Sequence, residues 1–302
     1  MMRVLLAQDG SDGAGKAVSL ARSIAWPKGS VLRVVSVIEP IVMPLPGPWA
    51  DGTASSTLDE ESIAIVRDLN TQAVRDLRAP RRSVEGAVLR GRPATVIIDE
   101  ARTLGADLVI MGSRGHGAIA SLLLGSVSTE VTDHAPCPVL VARVGTLSQV
   151  VFATDESPSA LAAESLLAGW PIFDGIPIRV VSVAHVEHPW ATGIAPTMYR
   201  RVLEAYAADL RDARQTHQRL AAEAATRLRE AGRLTEPELR EGDPAAEIIA
   251  VAEERGADLI VLGSRGHTGL TRILLGSVAR NVLHGSSASV LIVRERTVEP
   301  AA

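Results

Sequence analysis

The sequence predicts two tandem α/β domains, each a doubly wound, five-stranded parallel sheet. A 22-residue stretch that begins at Gly105 recurs from Gly256 with 13 identical positions, so the chain is a tandem duplication. Short apolar runs alternate with helical patterns in each half, as expected for parallel sheets. A length of 302 residues suffices for two domains of about 150 residues. We place these domains at residues 1–145 and 146–302.

The elements of the first half follow from its hydrophobic periodicity. Strands are expected at 3–8, 31–38, 83–89, 108–111 and 138–142, and helices at 14–26, 58–79, 94–104 and 126–134. Gly105 is expected to stop the third of these helices. The stretch 40–56 is rich in Pro, Gly and Ser, which predicts an exposed excursion.

A short linker at 144–149 leads to a second half with the same order of elements. Strands are expected at 150–154, 178–184, 259–262 and 289–293, and helices after 155–158, at 199–231, at 245–255 and from Ser277. The segment 239–244 matches 89–93 in position, and 187–197 reads as a second excursion.

Composition narrows the class of protein. Aromatic residues make up only 3% of the chain, so its cores must be aliphatic. A net charge of −4 gives no argument for a nucleic acid or an anionic membrane as a partner. No apolar run is long enough to span a membrane, and the N-terminus lacks a signal-peptide layout, so a soluble, cytoplasmic protein is expected. The single cysteine, Cys137, excludes an intramolecular disulfide and is expected to be a small residue entering a strand.

Both copies of the repeat carry glycines after a buried strand. The pattern is Gly-x2-Gly-x9-Gly-Ser, formed by Gly112, Gly115, Gly125 and Ser126 and again by Gly263, Gly266, Gly276 and Ser277. Glycine lets the backbone approach a ligand because it has no Cβ. A helix start offers free N–H groups and a positive dipole end, which suits phosphate. The sequence therefore predicts a phosphate-binding rim in each half.

These two motifs resemble the nucleotide-binding motif of the universal stress protein family, and the resemblance covers both halves. It implies the strand order 3-2-1-4-5, which places the first and fourth strands side by side. Ligands of open α/β sheets bind at this switch point, outside the carboxyl ends of the strands. Asp9 and Gly112 should then face one crevice, and Asp155 and Gly263 another.

The resemblance further implies an ATP-type site in each half. In the family, an acidic residue after the first strand lies by the adenine or ribose, and a valine of the second strand offers its backbone to adenine. Members that bind no nucleotide usually lose the glycines, and both sets are complete here. The expected nucleotide contacts are Asp9, Val37, Met111, Gly112, Arg114, Gly115, His116, Gly125, Ser126, Val127, Asp155, Val183, Leu262, Gly263, Arg265, Gly266, His267, Gly276, Ser277 and Val278.

Several of these residues also have a simpler interpretation. Each Asp could instead be a helix N-cap, and the His and Arg side chains could belong to solvated loops. The run from Gly10 to Lys16 nearly spells a P-loop, but Ala17 replaces the hydroxyl that would hold Mg²⁺. His185 and His188 have no spacing that supports a metal site, and we expect no protein-bound metal.

The function favoured by the sequence is a regulatory, adenine-nucleotide-binding protein. The ligand could be ATP, ADP or AMP, with Mg²⁺ or Mn²⁺ left open. No catalytic residue is predicted, and hydrolysis would be slow because no water-activating base is apparent. One alternative is an enzyme of the adenine nucleotide α-hydrolase type, whose Ser-Gly-Gly-x-Asp-Ser loop is missing here. Another is an interaction module with vestigial sites.

Single-domain members of the family commonly dimerise through their last strands. The resemblance therefore implies an internal pseudo-dimer that uses residues 138–142 and 289–293. A bare edge strand would invite association, which gives such a pairing a physical reason. The sequence does not decide whether two chains form a homodimer.

Overall fold

The computed structural model describes residues 1–39, 53–80, 82–115, 124–186, 196–266 and 275–295. Its contacts divide the chain into two units, Met1–Leu147 and Ser148–Ala302. Each unit is an α/β sheet in which strands and helices alternate along the chain.

The first unit is a five-stranded parallel sheet. Its strands are β1 (Arg3–Ala7), β2 (Ser30–Ile38), β3 (Arg82–Arg90), β4 (Leu108–Gly112) and β5 (Val139–Ala142). Its helices are α1 (Asp12–Ser23), α2 (Thr53–Leu77), α3 (Pro93–Leu104) and α4 (Ser126–His134). The strand order is β3-β2-β1-β4-β5 and the pairings are parallel, which confirms the predicted fold and order.

The second unit repeats this arrangement. Its strands are β6 (Val150–Ala153), β7 (Pro177–Ala184), β8 (Leu234–Glu241), β9 (Leu259–Gly263) and β10 (Ser289–Val293). Its helices are α5 (Pro158–Gly169), α6 (Pro196–Glu230), α7 (Pro244–Arg255) and α8 (Ser277–Gly285), with a short 3₁₀ turn at Pro171–Phe173. The order β8-β7-β6-β9-β10 is the same one, again with parallel pairings. The expected pairing of β5 with β10 stays a prediction.

The core of each unit is built from aliphatic side chains, as the low aromatic content predicts. Every residue of β4, β5, β6 and β10 is buried, which is the pattern of strands covered on both faces. Each such Val, Leu or Ile contributes about 1.5–3 kcal/mol through removal of apolar surface from water. Cys137 is buried two residues before β5, in agreement with the expectation of a small residue entering a strand.

Two helices begin earlier than the sequence predicts. The expected excursion 40–56 ends at α2, which starts at Thr53, and the excursion 187–197 ends at α6, which starts at Pro196. Proline is well suited to the first helical turn, where its missing N–H has no partner to lose. The remaining parts of both excursions, 40–52 and 187–195, lie outside the described residues.

Helix α1 is displaced towards the N-terminus from its expected range of 14–26. It begins at Asp12 because Ser11 caps it, and it ends at Ser23. Ile24 is already extended, with φ −73° and ψ 133°. Trp26 precedes Pro27, and a residue before proline is disfavoured in the helical region.

Strand β8 was not recognised as a strand from the sequence. It reads LTEPELRE, and none of its residues is fully buried. Polar composition and an internal proline, Pro237, argue against a central strand but are tolerated at a sheet edge. The strand order places β8 at that edge, beside β7.

Candidate functional site

The acidic residue after the first strand lies against the glycine loop in each unit. Strand β1 pairs with β4, and β6 pairs with β9, so the carboxyl ends of each pair meet at one edge. A Cβ placed on Gly115 would lie 2.5 Å from Asp9 Oδ2, and one on Gly266 would lie 2.8 Å from Asp155 Oδ2. The structure therefore brings together the acid and the second glycine of each motif.

The first glycine of each motif serves the packing of a helix on a strand. A Cβ on Gly112 would lie 2.4 Å from the carbonyl carbon of Gly13 in α1. A Cβ on Gly263 would lie 2.6 Å from the amide nitrogen of Ala160 in α5. The neighbouring helix fills the space beside these glycines, so packing requires them whether or not they also approach a ligand.

The third glycine of each motif has more room. A Cβ on Gly125 would meet Arg114 Cα at 3.5 Å, and one on Gly276 would meet Arg265 Cα at 3.4 Å. These are ordinary contact distances. The two glycines therefore tolerate a small side chain, which makes them useful positions for mutation.

Serine residues, and not the aspartates, cap α1 and α5. Ser11 Oγ accepts a hydrogen bond from Ala14 N at 3.2 Å, and Ser157 Oγ accepts one from Ala160 N at 3.4 Å. The N-cap interpretation of Asp9 and Asp155 is therefore wrong. Asp9 Oδ1 instead accepts from Ser11 N at 3.0 Å, and Asp155 Oδ1 accepts from Ser157 N at the same distance.

The capping serines also join the two loops of each site. Ser157 Oγ donates to the carbonyl oxygen of Arg265 at 2.9 Å, and Ser11 Oγ lies 3.0 Å from that of Arg114. The sequence signal for this role is an Asp-x-Ser pattern that follows the first strand of each half. Since a side chain already occupies the start of α1, that start is not a P-loop. Lys16 is exposed and Ala17 is fully buried, which agrees with this conclusion.

The starts of α4 and α8 are different, because no side chain caps them. Their N-cap residues, Gly125 and Gly276, are extended with φ −67° and −64°. The glycine amides donate to Ser113 O at 2.9 Å and to Ser264 O at 2.8 Å. The following first-turn amides, at Ser126–Val127 and Ser277–Val278, have no side-chain cap, and they form a natural seat for an anion.

In the second unit, these groups line a cavity of about 490 Å³. Its wall includes most of the predicted contacts of this unit: Asp155, Val183, Leu262, Gly263, Arg265, Gly266, Gly276, Ser277 and Val278. The volume lies in the usual range for small-molecule sites. Residues that were not predicted from the sequence also line it: Thr154, Ser157, His185, His217, Pro244 and Ile248 among others.

Most of the contacts predicted for the first unit lie in the described part of the chain. Val37 is half-buried in β2, and Met111 is buried at the end of β4. Gly91 N donates to Ile38 O at 3.0 Å, and Gly242 N donates to Ala184 O at 3.1 Å, so Val37 and Val183 are equivalent. His116 and His267 lie outside the described residues.

Positive charge gathers near the glycine loop of the first unit. Burial, and next the charge of Arg114, lower the pKa of Arg143 to about 10. Arg143 follows β5 directly and stays protonated at neutral pH, so it adds a second cation to this edge of the sheet. The sequence signal for this second cation is an arginine that directly follows the last strand of each half, Arg143 and Arg294.

An ion pair network supports the loop after β6. Glu156 has φ 58°, a left-handed conformation for which the first unit uses Gly10. Arg227 of α6 lies 3.1 Å from Glu156 Oε1, and its Nε donates to Glu164 Oε1 at 2.6 Å. These hydrogen bonds, led by the one to Glu164, raise the pKa of Arg227.

Replacing Arg227 by methionine is expected to destabilise the protein by about 2 kcal/mol, because the buried carboxylate of Glu164 loses its partner. Arg227 is itself partly exposed, so we expect less than a fully buried pair would cost. Urea unfolding of the full chain measures the change. The control is Arg219→Met, whose pair with Glu223 is exposed and should matter by less than about 0.5 kcal/mol. Equal effects of the two substitutions would contradict this account.

In the described part of the chain, no group of three or more His, Cys, Asp or Glu side chains could hold a metal ion. None of the helices described has an apolar run long enough to cross a membrane.

Comparison with known proteins agrees with this architecture. The sequence model of the Universal stress protein family matches residues 1–143 and again residues 147–294. A universal stress protein of Thermus aquaticus is 38% identical over 46% of this chain and 97% of its own length. One from Mycobacterium tuberculosis is 28% identical over 97% of both chains. The crystal structure of a universal stress protein from Archaeoglobus fulgidus covers 97% of this chain and 96% of its own, with TM-score 0.64 and 20% identity, and shares the fold.

Proposed function

The chain belongs to the universal stress protein family, and we propose that it is a regulatory protein that binds an adenine nucleotide in each of its two units. One observation carries the proposal: each unit has a helix start without a side-chain cap, directly after a glycine loop that lies against a carboxylate. Amides at a helix start favour phosphate, and a carboxylate accepts hydrogen bonds from ribose hydroxyls.

We place the nucleotide along the edge of the sheet. Its phosphates bind the first-turn amides of α4 or α8, with Arg114 or Arg265 close by. The ribose donates to Asp9 or Asp155. The base lies against the second strand of the unit, where Val37 or Val183 offers its backbone. The size and lining of the second-unit cavity support this placement.

The proposed role is binding and not rapid turnover. The capped start of α1 speaks against P-loop chemistry, and an open cavity with an intact glycine rim speaks against a vestigial site. Mg²⁺ or Mn²⁺ would enter with the phosphates, since nucleotide oxygens and water suit these ions. The biological output, in this proposal, is a change of state in response to the level of adenine nucleotide.

Calorimetric titration of the full chain with ATP, ADP and AMP tests the proposal. We expect saturable binding of ATP at two sites per chain, because the motif is intact in both units. At a ligand concentration 100 times Kd, each occupied site should stabilise the folded protein by about 2.7 kcal/mol, which a thermal melt would report. Product analysis after long incubation is expected to show ATP largely intact.

Mass spectrometry of ligand released from the purified protein gives an independent check. Adenine nucleotide that co-purifies would support the proposal. The proposal would be contradicted if the protein carried no nucleotide, released no heat with any adenylate and melted at an unchanged temperature. That outcome would favour an interaction module.

A further inference from the structure

His217 of α6 lies in the wall of the second-unit cavity and is held through one ring nitrogen. Its Nδ1 lies 2.8 Å from Ser182 Oγ, and Ser182 Oγ donates to the carbonyl oxygen of Thr154 at 2.8 Å. A carbonyl can only accept, and the serine hydroxyl has a single proton. Nδ1 of His217 must therefore carry the proton that it shares with Ser182.

This hydrogen bond fixes the tautomer of the His217 ring and therefore the hydrogen-bonding character of its other nitrogen, Nε2. A neutral imidazole with its proton on Nδ1 has a lone pair on Nε2. Within the described residues, no group hydrogen-bonds to His217 Nε2. Burial lowers the pKa of His217, an effect that the charge of Asp155 opposes, so the neutral form dominates at neutral pH. The cavity wall thus contains one hydrogen-bond acceptor at this point.

The wall beside His217 is mainly apolar. Val181 and Val183 of β7 and Pro244 and Ile248 of α7 line the same cavity. Apolar side chains can pack against the faces of a flat aromatic ring but cannot orient it. A single acceptor among them selects a ring that carries an N–H donor at the matching edge, because an unpaired buried polar group is costly.

The first unit contacts the equivalent serine through a different residue. Asn70 of α2 binds Ser36, the residue equivalent to Ser182, through Nδ2 at 3.1 Å. The same Nδ2 lies 3.2 Å from both Val34 O and Ala87 O, and the residue is 4% exposed. An asparagine amide does not titrate, and the Nδ2 of Asn70 is already hydrogen-bonded to groups of β2 and β3. The two units therefore present different groups to their sites.

We propose that His217 is a specificity-determining residue of the second site, where Nε2 accepts a hydrogen bond from the 6-amino group of an adenine base. The inference rests on the nucleotide binding proposed above and adds a preference within it. The second site selects 6-amino over 6-oxo purines, and acid weakens this preference. Asn70 leaves the first site without the acid dependence.

Inosine triphosphate is the matched probe, because its base has an oxygen where adenine has the amino group. That oxygen would face the Nε2 lone pair, and the site would lose one hydrogen bond and gain a repulsion. We expect ATP to bind the second site about 10-fold more tightly than inosine triphosphate at neutral pH. Protonated Nε2 donates instead, so ATP loses its partner and the oxo base acquires one.

The sign of the pH effect follows from the lowered pKa. The adenine preference is fully present above the pKa of His217 and is lost as the pH falls through it, below the ordinary value of 6.5. Among the described residues, Asp155 after β6, His185 after β7 and Arg265 after β9 are the other charged or titratable groups that line this cavity. On α6 itself, Arg214 pairs with Glu241 of β8. None of them is exchanged in the variant below.

The test is titration of the full chain with ATP and with inosine triphosphate at about pH 7.5 and at a series of lower pH values down to about 5, because the pKa of His217 lies below the ordinary 6.5. The variant is His217→Asn, which replaces the imidazole ring by an amide that does not titrate. We expect it to reduce the ATP preference of one site to less than about 3-fold and to remove the pH dependence of that preference. The control is His134→Asn, an exposed histidine of α4 that should leave both unchanged.

The outcomes separate the two proposals. If no nucleotide binds the natural protein, the proposed function fails and this inference fails with it. If ATP binds but His217→Asn leaves the preference intact, only the inference is overturned. Proton NMR of the ring adds a second readout: bound ATP should lower the pKa of His217 further. A raised pKa would mean that the ring faces phosphate, which also overturns the inference.

Discussion

Alanine at Gly112 or Gly263 is expected to destabilise the protein by about 3 kcal/mol. The new Cβ would lie 2.4 Å from the backbone of Gly13 or 2.6 Å from that of Ala160, and backbone in a helix cannot yield as a flexible side chain does. Helix α1 or α5 would have to move away from the sheet, opening gaps along their interface. Urea unfolding of the full chain measures the loss as a lower transition midpoint.

The controls are glycines with open space around them. A Cβ on Gly15 in α1 or on Gly169 at the end of α5 would have no neighbouring atom within 4 Å. Gly15→Ala is expected to stabilise the protein slightly, by up to about 1 kcal/mol, because alanine is the better helix former. If Gly112→Ala proved as mild as Gly15→Ala, the packing role assigned to the first glycine would be refuted.

Aspartate at Gly125 and Gly276 is expected to abolish nucleotide binding while leaving the fold at least as stable. Aspartate is a favourable N-cap, and both positions have the extended backbone that a cap requires. Its carboxylate would occupy the first-turn amides that we assign to phosphate and would repel the phosphate itself. Loss of two charge-assisted hydrogen bonds corresponds to at least about 100-fold weaker binding. Calorimetry with ATP and thermal unfolding without ligand measure the two effects.

Single and double substitutions make this result specific. Gly276→Asp should remove one of two sites, Gly125→Asp the other, and the double variant both. Gly276→Ala is the steric control, because its Cβ meets Arg265 Cα at an ordinary 3.4 Å and carries no charge. It should weaken binding by less than about 5-fold. Undiminished ATP binding by the double aspartate variant would be incompatible with phosphate at these helix starts.

Much of the architecture was predictable because it depends on local sequence patterns. The repeat at Gly105 and Gly256, the apolar strands and the glycine after each of them depend on residues close together in the chain. The family resemblance supplied the strand order, and from it followed the meeting of Asp9 with the glycine loop. Strand β8 was overlooked because an edge strand with a proline lacks the apolar run that marks a central one.

The residues that distinguish one site from the other were beyond the reach of such patterns. His217 meets Ser182 across 35 positions of sequence, and a histidine in an Arg- and Glu-rich helix gives no sign of lining a cavity. Likewise, Ser11 and not Asp9 proved to cap α1, since both residue types suit a cap and only the backbone geometry chooses between them.

By itself the sequence determined a duplicated α/β chain with a glycine rim and an acidic residue in each half. The tertiary structure alone decided which helix starts are capped, which glycines are needed for packing and which side chains line the second-unit cavity. The reason is physical: periodicity and turn chemistry act between neighbours in the chain, whereas capping, close packing and cavity lining depend on atoms that only the folded sheet brings together.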